Sequence, residues 1–214
     1  MKTPPTDLDD AWLAIIDMQQ IFSRPGKWWG CPEFASIIAP IHRLAAKFGD
    51  RTLLTRYVAE PSPAGSWGPY FEEFPFAQVP ASSPRYALVA PIKRLARKDN
   101  VVTMTTFSKW GNARRGLRAK TGSHPHLVLA GVATDCCVLS TAIAAAEAGA
   151  FVTVVLDACA GSSATNQSAA KEILLGYAPL IRVTTWRKLL QDRGTDRTRR
   201  RGRYAATSAP ARRG

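Results

Sequence analysis

The sequence predicts an α/β protein with a three-layer α-β-α, Rossmann-like architecture around a six-stranded, mainly parallel sheet. Apolar runs alternate with helical stretches along the chain, which is the pattern of a parallel sheet with helices on both faces. Most of these runs are continuously hydrophobic rather than alternating, as strands buried on both faces are. A chain of 214 residues that is 46% hydrophobic and 21% charged is long and apolar enough for one such domain.

Six apolar runs are the candidate strands, and four stretches with helical periodicity or composition lie between them. The candidate strands are 11–16, 51–57, 101–105, 126–131, 151–156 and 181–185. The candidate helices are 35–48, 91–97, 135–149 and 167–176, with a short turn after 185. In such a sheet the ligand crevice lies at the carboxyl ends of the strands, so chemistry is expected just after the apolar runs.

The net charge of +13 is concentrated near the end of the chain, where residues 192–214 hold eight arginines and two aspartates. Arginine runs beside Gly, Ser, Ala and Pro predict a solvated, disordered tail. Such a tail either has no specific role or binds polyanions weakly. We therefore divide the chain into a flexible N-terminus at 1–10, one domain at 11–191 and a basic tail at 192–214. We expect no specific nucleic-acid partner.

Cysteine content and the first residues of the chain indicate the compartment. The four cysteines, two of them adjacent, form no spaced disulfide framework, and the first ten residues contain no apolar signal segment. The apolar stretch 126–161 is interrupted by Asp135, Glu147 and Asp157, so it is not suited to span a membrane. The sequence therefore predicts a cytoplasmic protein without a membrane segment.

Two charged residues follow candidate strands. Asp17 comes directly after the first apolar run, where it could act in catalysis or simply cap the following turn. Lys109 follows the third run between Phe107 and Trp110, and taken alone it would be an ordinary surface lysine. If its ammonium faced Asp17 in the crevice, each group would stabilise the charged form of the other.

The sequence GVATDCCV at 131–138 places two cysteines in the first turn of a helix that Thr134 or Asp135 can cap. A helix N-terminus lowers a thiol pKa, so this is where a nucleophilic thiolate forms most easily. Helical periodicity puts Cys137 on a face of small residues, which favours Cys137 over Cys136 as the inward thiol. Buried structural cysteines and a vicinal disulfide are the alternatives.

These segments together resemble the isochorismatase-like cysteine hydrolases, the family that includes nicotinamidases and N-carbamoylsarcosine amidases. The similarity spans roughly 11–190 and is carried by IIDMQ at 15–19, GVATDCCV at 131–138 and STAIAAAEAGAFVTVVLDACAG at 140–161. The combination is highly specific for the family, whereas IIDMQ alone is not. The resemblance implies a six-stranded parallel sheet and the hydrolysis of a carbon–nitrogen bond in a small amide, ureido or carbamoyl substrate.

The resemblance also implies the site residues. Asp17, Lys109 and Cys137 would form a catalytic triad in which Cys137 is the nucleophile and forms a thioester. A cis peptide between Val132 and Ala133 is implied, and the amides of Ala133 and Cys137 would form an oxyanion hole. No cofactor is expected.

Two departures from the family pattern bear on the site. In many members the lysine follows the paired valines of the third strand by two or three residues, where this chain has Met104; Lys109 lies five positions later. The alternative puts Lys109 on the surface and supplies another donor, such as Arg56, to the crevice. The region after the second strand lacks the Asp and histidines of the nicotinamidase branch, so we expect no metal site of that type.

Aromatic residues near the predicted strand ends are candidates for the substrate pocket. Phe22, Trp28, Trp29 and Trp110 could form its walls, although a packed aromatic cluster is an equal alternative. The segment 60–85 is predicted to be a long surface loop that serves as a lid or a subunit contact. The expected partners are a small-molecule substrate and further copies of the chain, in a dimer or tetramer. The rival function is a binding module of the same fold with an inert or redox-sensitive cysteine pair.

Overall fold

The computed structural model describes residues 8, 10–189 and 191. Its six strands form one sheet in which all pairs are parallel, in the order β3-β2-β1-β4-β5-β6. The strands are β1 Trp12–Ile16, β2 Thr52–Tyr57, β3 Val101–Met104, β4 His126–Val132, β5 Phe151–Ala160 and β6 Ile181–Thr184. The predicted α/β fold with a six-stranded parallel sheet is therefore confirmed.

Helices cover both faces of this sheet. They are α1 Ile38–Phe48, α2 Trp67–Glu73, α3 Ala90–Lys93, α4 Leu117–Thr121, α5 Leu139–Glu147 and α6 Ala164–Gly176. Within the described residues, none of them is long and apolar enough to cross a lipid bilayer. The predicted N-terminal segment 1–10, apart from residues 8 and 10, and the predicted tail 192–214 lie outside the described residues.

Two hydrophobic clusters, one on each face of the sheet, make up the core. Leu13 and Ile15 of β1 pack in the cluster that contains α1, whereas Ala14 and Ile16 pack in the cluster that contains α5 and part of α6. Successive side chains of a strand point to opposite faces, so a strand covered on both sides must be apolar at every position. This explains the continuous apolar runs of the sequence.

The segment 60–85 differs from the predicted irregular loop because it contains α2 and two short 3-10 turns. Tyr70 and Phe71 follow Trp67 by three and four residues, so both of their rings contact the Trp67 ring, and the three centroids are 5.5–5.9 Å apart. Phe71 is buried in the main core. The segment thus packs on the domain, and a role as lid or subunit contact stays a prediction.

The order of the strands places the crevice between β1 and β4. From β1 the chain runs outward to β2 and β3 and then returns to β4 on the other side of β1, which is a topological switch point. Gly131 near the end of β4 has φ +115°, and a Cβ there would lie 2.2 Å from the Ile16 carbonyl oxygen. Only glycine allows the two strands to approach so closely at the crevice.

Candidate active site

Asp17 begins the crevice at the end of β1. It has a left-handed backbone, with φ +45°, and its side chain is fully buried. Thr55 of β2 holds it twice, because the Thr55 hydroxyl donates to Asp17 Oδ1 at 2.6 Å and accepts the Asp17 N–H at 3.1 Å. This geometry fixes the direction of the carboxylate. These contacts are made with β2, so the alternative that Asp17 merely caps the next turn does not account for them.

Lys109 lies beside this carboxylate rather than on the surface. Its Nζ is 2.9 Å from Asp17 Oδ2, and both side chains are completely buried. The ammonium also donates to the Thr106 carbonyl oxygen at 2.6 Å and lies 4.9 Å from the centre of the Tyr57 ring. Arg56, the alternative donor, instead donates to backbone carbonyl oxygens of the segment 81–86. The structure therefore brings Asp17 and Lys109 together.

The chain around Lys109 explains how a lysine so far from β3 reaches the crevice. The Lys109 N–H donates to Thr141 Oγ1 at 2.9 Å, and the Leu117 N–H donates to the Lys109 carbonyl at 2.8 Å. Trp110, the next residue, points the opposite way, into the core cluster beside α5. Trp110, predicted to form a pocket wall, is therefore packed in the core and is not among the residues that line the cavity described below.

The cysteine pair follows β4 in a short π-helical turn, Thr134–Val138, that leads into α5. Cys137 is 2% exposed, whereas Cys136 is only partly buried, as helical periodicity indicated. Neither Thr134 nor Asp135 caps the helix with its side chain. Instead the Asp135 carboxylate accepts hydrogen bonds from the N–H and the hydroxyl of Ser162, at 2.8 and 2.6 Å. The loop after β5 is thereby tied to the cysteine turn.

The pKa values of the two adjacent thiols shift in opposite directions. A hydrogen bond to Cys136, together with burial, raises the pKa of Cys137 well above its ordinary value, although the Lys109 ammonium lowers it. The same hydrogen bond lowers the pKa of Cys136. The sequence predicted an easily ionised Cys137, and the structure differs because this thiol is removed from solvent. The surroundings of Cys137 therefore favour the protonated thiol.

The backbone between β4 and the cysteines has the shape that the family resemblance implies. The Val132–Ala133 peptide is cis. The Ala133 carbonyl oxygen accepts the N–H groups of Cys136 and Val138, both at 3.1 Å, which anchors the turn. Ala133 and Cys137 both line the cavity described next.

A cavity of about 230 Å³ opens above the cysteines. Half of its twelve lining residues are aromatic, and they include the predicted Phe22, Trp28 and Trp29. The full lining comprises Phe22, Trp28, Trp29, Gly30, Tyr57, Tyr70, Phe107, Ala133, Asp135, Cys136, Cys137 and Ser162. The structure thus adds Tyr57, Tyr70 and Phe107, which sequence reasoning did not assign to the pocket.

The residues near the cavity do not fit a nicotinamidase-type metal site. After β2 the chain continues with the buried apolar residues Val58 and Ala59. In the part of the chain that the structure describes, no three His, Cys, Asp or Glu side chains are grouped closely enough to hold a metal ion. The expectation of a metal-free site stays a prediction.

Fold and crevice together define a Rossmann-like α/β enzyme. The isochorismatase domain matches residues 11–187, so the chain belongs to the isochorismatase family. No protein of curated function matches the sequence.

Solved structures of similar proteins share the fold. An isochorismatase family protein from Desulfovibrio vulgaris superposes with a TM-score of 0.70 at 24% identity, over 85% of this chain and 97% of that one. A cysteine hydrolase from Pseudomonas syringae gives 0.71 at 19% identity, over 89% and 95% of the two chains. The yeast nicotinamidase gives 0.62 at 21% identity, over 81% and 99%. At these identities the similarity establishes the fold alone.

Proposed function

We propose that this protein is a cysteine-dependent hydrolase that cleaves a carbon–nitrogen bond of a small amide, ureido or carbamoyl substrate through a thioester. The observation that carries the proposal is the fully buried ion pair between Asp17 and Lys109, whose two charges influence the pKa of Cys137, a thiol that lines a cavity with six aromatic residues. A buried pair of this kind costs desolvation energy, so its place beside a thiol in a cleft indicates chemistry. Family membership supports the hydrolase class.

The first half of the reaction consumes the thiol proton. Asp17 accepts the proton of Cys137, whose raised pKa makes a base necessary. The thiolate attacks the substrate carbonyl carbon, and the electron pair of the C=O bond moves to oxygen. In this proposal the amides of Ala133 and Cys137 donate to the resulting oxyanion. Lys109 holds the Asp17 carboxyl in place through the contact at 2.9 Å.

The second half releases two products. Asp17 gives the proton to the leaving nitrogen, the C–N bond breaks, and an acyl group remains on Cys137 as a thioester. A water molecule then gives a proton to Asp17 and attacks the thioester carbonyl. When the C–S bond breaks, the proton returns to Cys137 and the acid leaves. One carboxyl thus serves in turn as base and acid.

An ammonia-release screen tests the proposal. The panel contains aliphatic and aromatic amides, ureido acids and carbamoyl compounds, and the Cys137→Ala protein is the blank. We expect at least one compound to be hydrolysed by the wild type and not by Cys137→Ala, and Cys136→Ala to keep most of the activity. Equal activity of the Cys137→Ala protein would remove the assigned nucleophile.

The rival function is a binding module of the same fold. The raised pKa of Cys137 favours it, because a protonated, buried thiol is also what an inert cysteine would be. If no compound of the panel releases ammonia while some of them quench the fluorescence of Trp28 and Trp29, the rival is the better description.

A further inference from the structure

A second cleft, of about 310 Å³, borders Trp28 and contains no residue of the cysteine turn. Its lining comprises Gln20, Arg24, Trp28, Pro84, Arg85 and Ala87. Trp28 is the one residue that this cleft shares with the lining of the cavity above the cysteines. The volume lies at the lower end of the range for small-molecule sites, about 300–1,000 Å³. The proposed hydrolysis uses none of the polar residues of this cleft.

The cleft is cationic, and no acidic residue lines it. Arg24 and Arg85 belong to the lining, and the ammonium of Lys27 lies 4.7 Å from the centre of the Trp28 ring. In the part of the chain that the structure describes, none of these three cations forms an ion pair with a carboxylate. Positive charges that are grouped in a cleft without a counter-charge attract an anionic ligand.

The loop that carries Arg24, Lys27 and Trp28 is folded tightly on itself. The Lys27 N–H donates to the Arg24 carbonyl at 3.1 Å, and the Gly30 N–H donates to the Lys27 carbonyl at 3.0 Å. A Cβ at Gly30 would lie 1.7 Å from the Arg24 carbonyl oxygen, so this approach requires glycine. Trp28 has a left-handed backbone, with φ +54°, which is uncommon for a bulky residue. The backbone thus brings Arg24 and Trp28 to one cleft without a ligand.

Arg85 reaches the Trp28 ring from a different part of the chain, the 3-10 turn Pro84–Tyr86. Its guanidinium carbon lies 5.1 Å from the ring centre, and one of its N–H groups donates to the Phe76 carbonyl oxygen. Within the described residues, the other N–H groups of this guanidinium have no acceptor. Gln20 adds a further donor, because the Ser23 hydroxyl occupies its amide oxygen at 3.4 Å and leaves its NH₂ group for a ligand.

We propose that this cleft binds a phosphomonoester, with the phosphate held by Arg24 and Arg85 and an aromatic group of the ligand against the Trp28 ring. Guanidinium groups match phosphate oxygens with paired N–H donors. A phosphomonoester carries a charge of about −1.5 to −2 at pH 7, which suits several unpaired cations better than the single charge of a carboxylate. Aromatic groups stack favourably on tryptophan. The inference goes beyond the proposed hydrolysis and does not depend on it.

Calorimetric titration of the full chain with phenyl phosphate tests the inference. Phenyl phosphate combines an aromatic ring with a phosphate, benzoate has the same ring with one negative charge, and benzyl alcohol is uncharged. We expect phenyl phosphate to bind about tenfold more tightly than benzoate, and benzyl alcohol not to bind measurably. Inorganic phosphate should bind more weakly than phenyl phosphate, because it lacks the ring that contacts Trp28.

Two arginine variants locate the bound phosphate. Arg24 and Arg85 line this cleft but not the cavity above the cysteines, so Arg24→Gln and Arg85→Gln should each weaken phenyl phosphate binding by about fivefold or more. Arg43→Gln is the matched control. Arg43 also lies beside a tryptophan, 4.8 Å from the ring centre of Trp186, but lines neither cavity. This control should leave the dissociation constant within about twofold of the wild-type value.

Arg24→Gln also keeps the test decisive if Arg85→Gln lowers stability. Arg24 is exposed, whereas Arg85→Gln removes the hydrogen bond to Phe76, so Tm is measured for both variants. Absence of phenyl phosphate binding, or equally tight binding of benzoate, would overturn the inference. Equal dissociation constants in the wild type and in the variant that combines Arg24→Gln with Arg85→Gln would also overturn it, because the phosphate would then bind elsewhere, such as at the arginines of 192–214.

Discussion

The floor and the walls of the cavity are built in different ways. The floor is the group Asp17, Lys109 and Thr55, whose side chains are fully buried and which are joined by polar contacts of 2.6–3.1 Å. The Lys109 backbone is anchored to α5 through Thr141.

Walls such as Trp28 and Phe107 come from loops and are partly exposed. The Phe107 ring contacts the rings of Trp67 and Tyr70, and the Trp28 ring lies near the cations of Lys27 and Arg85. The floor is thus joined by polar contacts, whereas the walls are joined by ring and cation contacts. We infer that the floor determines the reaction and the walls determine the substrate.

Because the floor and the walls are built differently, mutations in them should reduce stability and turnover by different amounts. Removing one member of a buried ion pair leaves an uncompensated charge and destabilises by roughly 3–5 kcal/mol. Removing one aromatic contact destabilises by about 0.5–1.5 kcal/mol, in addition to the free energy that is lost with the buried apolar area. Mutations in the floor should therefore reduce both turnover and stability, and mutations in the walls should mainly change KM.

The largest effect is expected from Lys109→Met. It should lower kcat by about 10³-fold and the free energy of unfolding by about 3–5 kcal/mol, because the Asp17 carboxylate stays buried without a counter-charge. Lys109→Arg should rescue poorly, since a planar guanidinium does not fill the place of a compact ammonium. Kinetics and urea unfolding measure both quantities.

The control for Lys109→Met is Lys47→Met, which removes an exposed lysine in the last turn of α1 and should change neither quantity. Combining Asp17→Asn with Lys109→Met should regain most of the stability but none of the activity, because the buried pair is then uncharged. Near-normal turnover of Lys109→Met would remove Lys109 from the proposed triad.

Thr55→Val tests the support of the floor. The hydroxyl that orients Asp17 is lost while the shape of the side chain is kept, so kcat should fall by about 10–100-fold with little change in KM. Thr52→Val on the same strand is the matched control, because the Thr52 hydroxyl is buried without a partner in the described structure. If both variants retain wild-type kcat, Thr55 has no positioning role.

The strands and the positions of Asp17 and Cys137 could be predicted from the sequence, because a continuous apolar run identifies a buried strand and its end identifies the crevice. Thr55 could not be predicted. It meets Asp17 only because β1 and β2 pair in the register that sets Ile15 opposite Leu54, and this register depends on the packing of the whole sheet.

Three other features of the site also depend on tertiary structure. The position of Lys109 depends on how the loop after β3 is held by Thr141, and Trp110 was misassigned because its direction depends on the same loop. The pKa of Cys137 was misjudged because its burial arises from neighbours distant in sequence. The local sequence pattern predicts which residues lie close to a strand end. The direction and the burial of their side chains follow from tertiary packing.

Thiol alkylation compares the buried Cys137 with the partly buried Cys136 beside it. Because the pKa of Cys136 is lowered and that of Cys137 is raised, iodoacetamide at pH 7 should modify Cys136 at least about tenfold faster. The Cys137 rate should rise as pH increases through the alkaline range. Fragment-ion mass spectrometry separates the two sites. Burial raises the pKa of Cys31 and Cys159 to about 12, so these thiols serve as unreactive internal controls.

The hydrogen bond between the two thiols can be removed by mutation of one of them. Cys137→Ala removes the partner in the hydrogen bond that lowers the Cys136 pKa, so alkylation of Cys136 at pH 7 should become slower in this variant. Faster modification of Cys137 than of Cys136 in the wild type would contradict the assigned pKa directions.

The smallest effect is expected at the walls, with Trp28→Leu. Trp28 lines the cavity and is partly exposed, and the cations of Lys27 and Arg85 lie 4.7 and 5.1 Å from its ring centre. The variant should raise KM about fivefold for a flat substrate and leave kcat within about twofold, because no floor contact is lost. Trp186→Leu is the control, since the cations of Arg43 and Arg187 lie 4.8 and 5.7 Å from that ring, and Trp186 is not among the residues that line the cavity. A loss of kcat as large as that of Thr55→Val would show that floor and walls do not act separately.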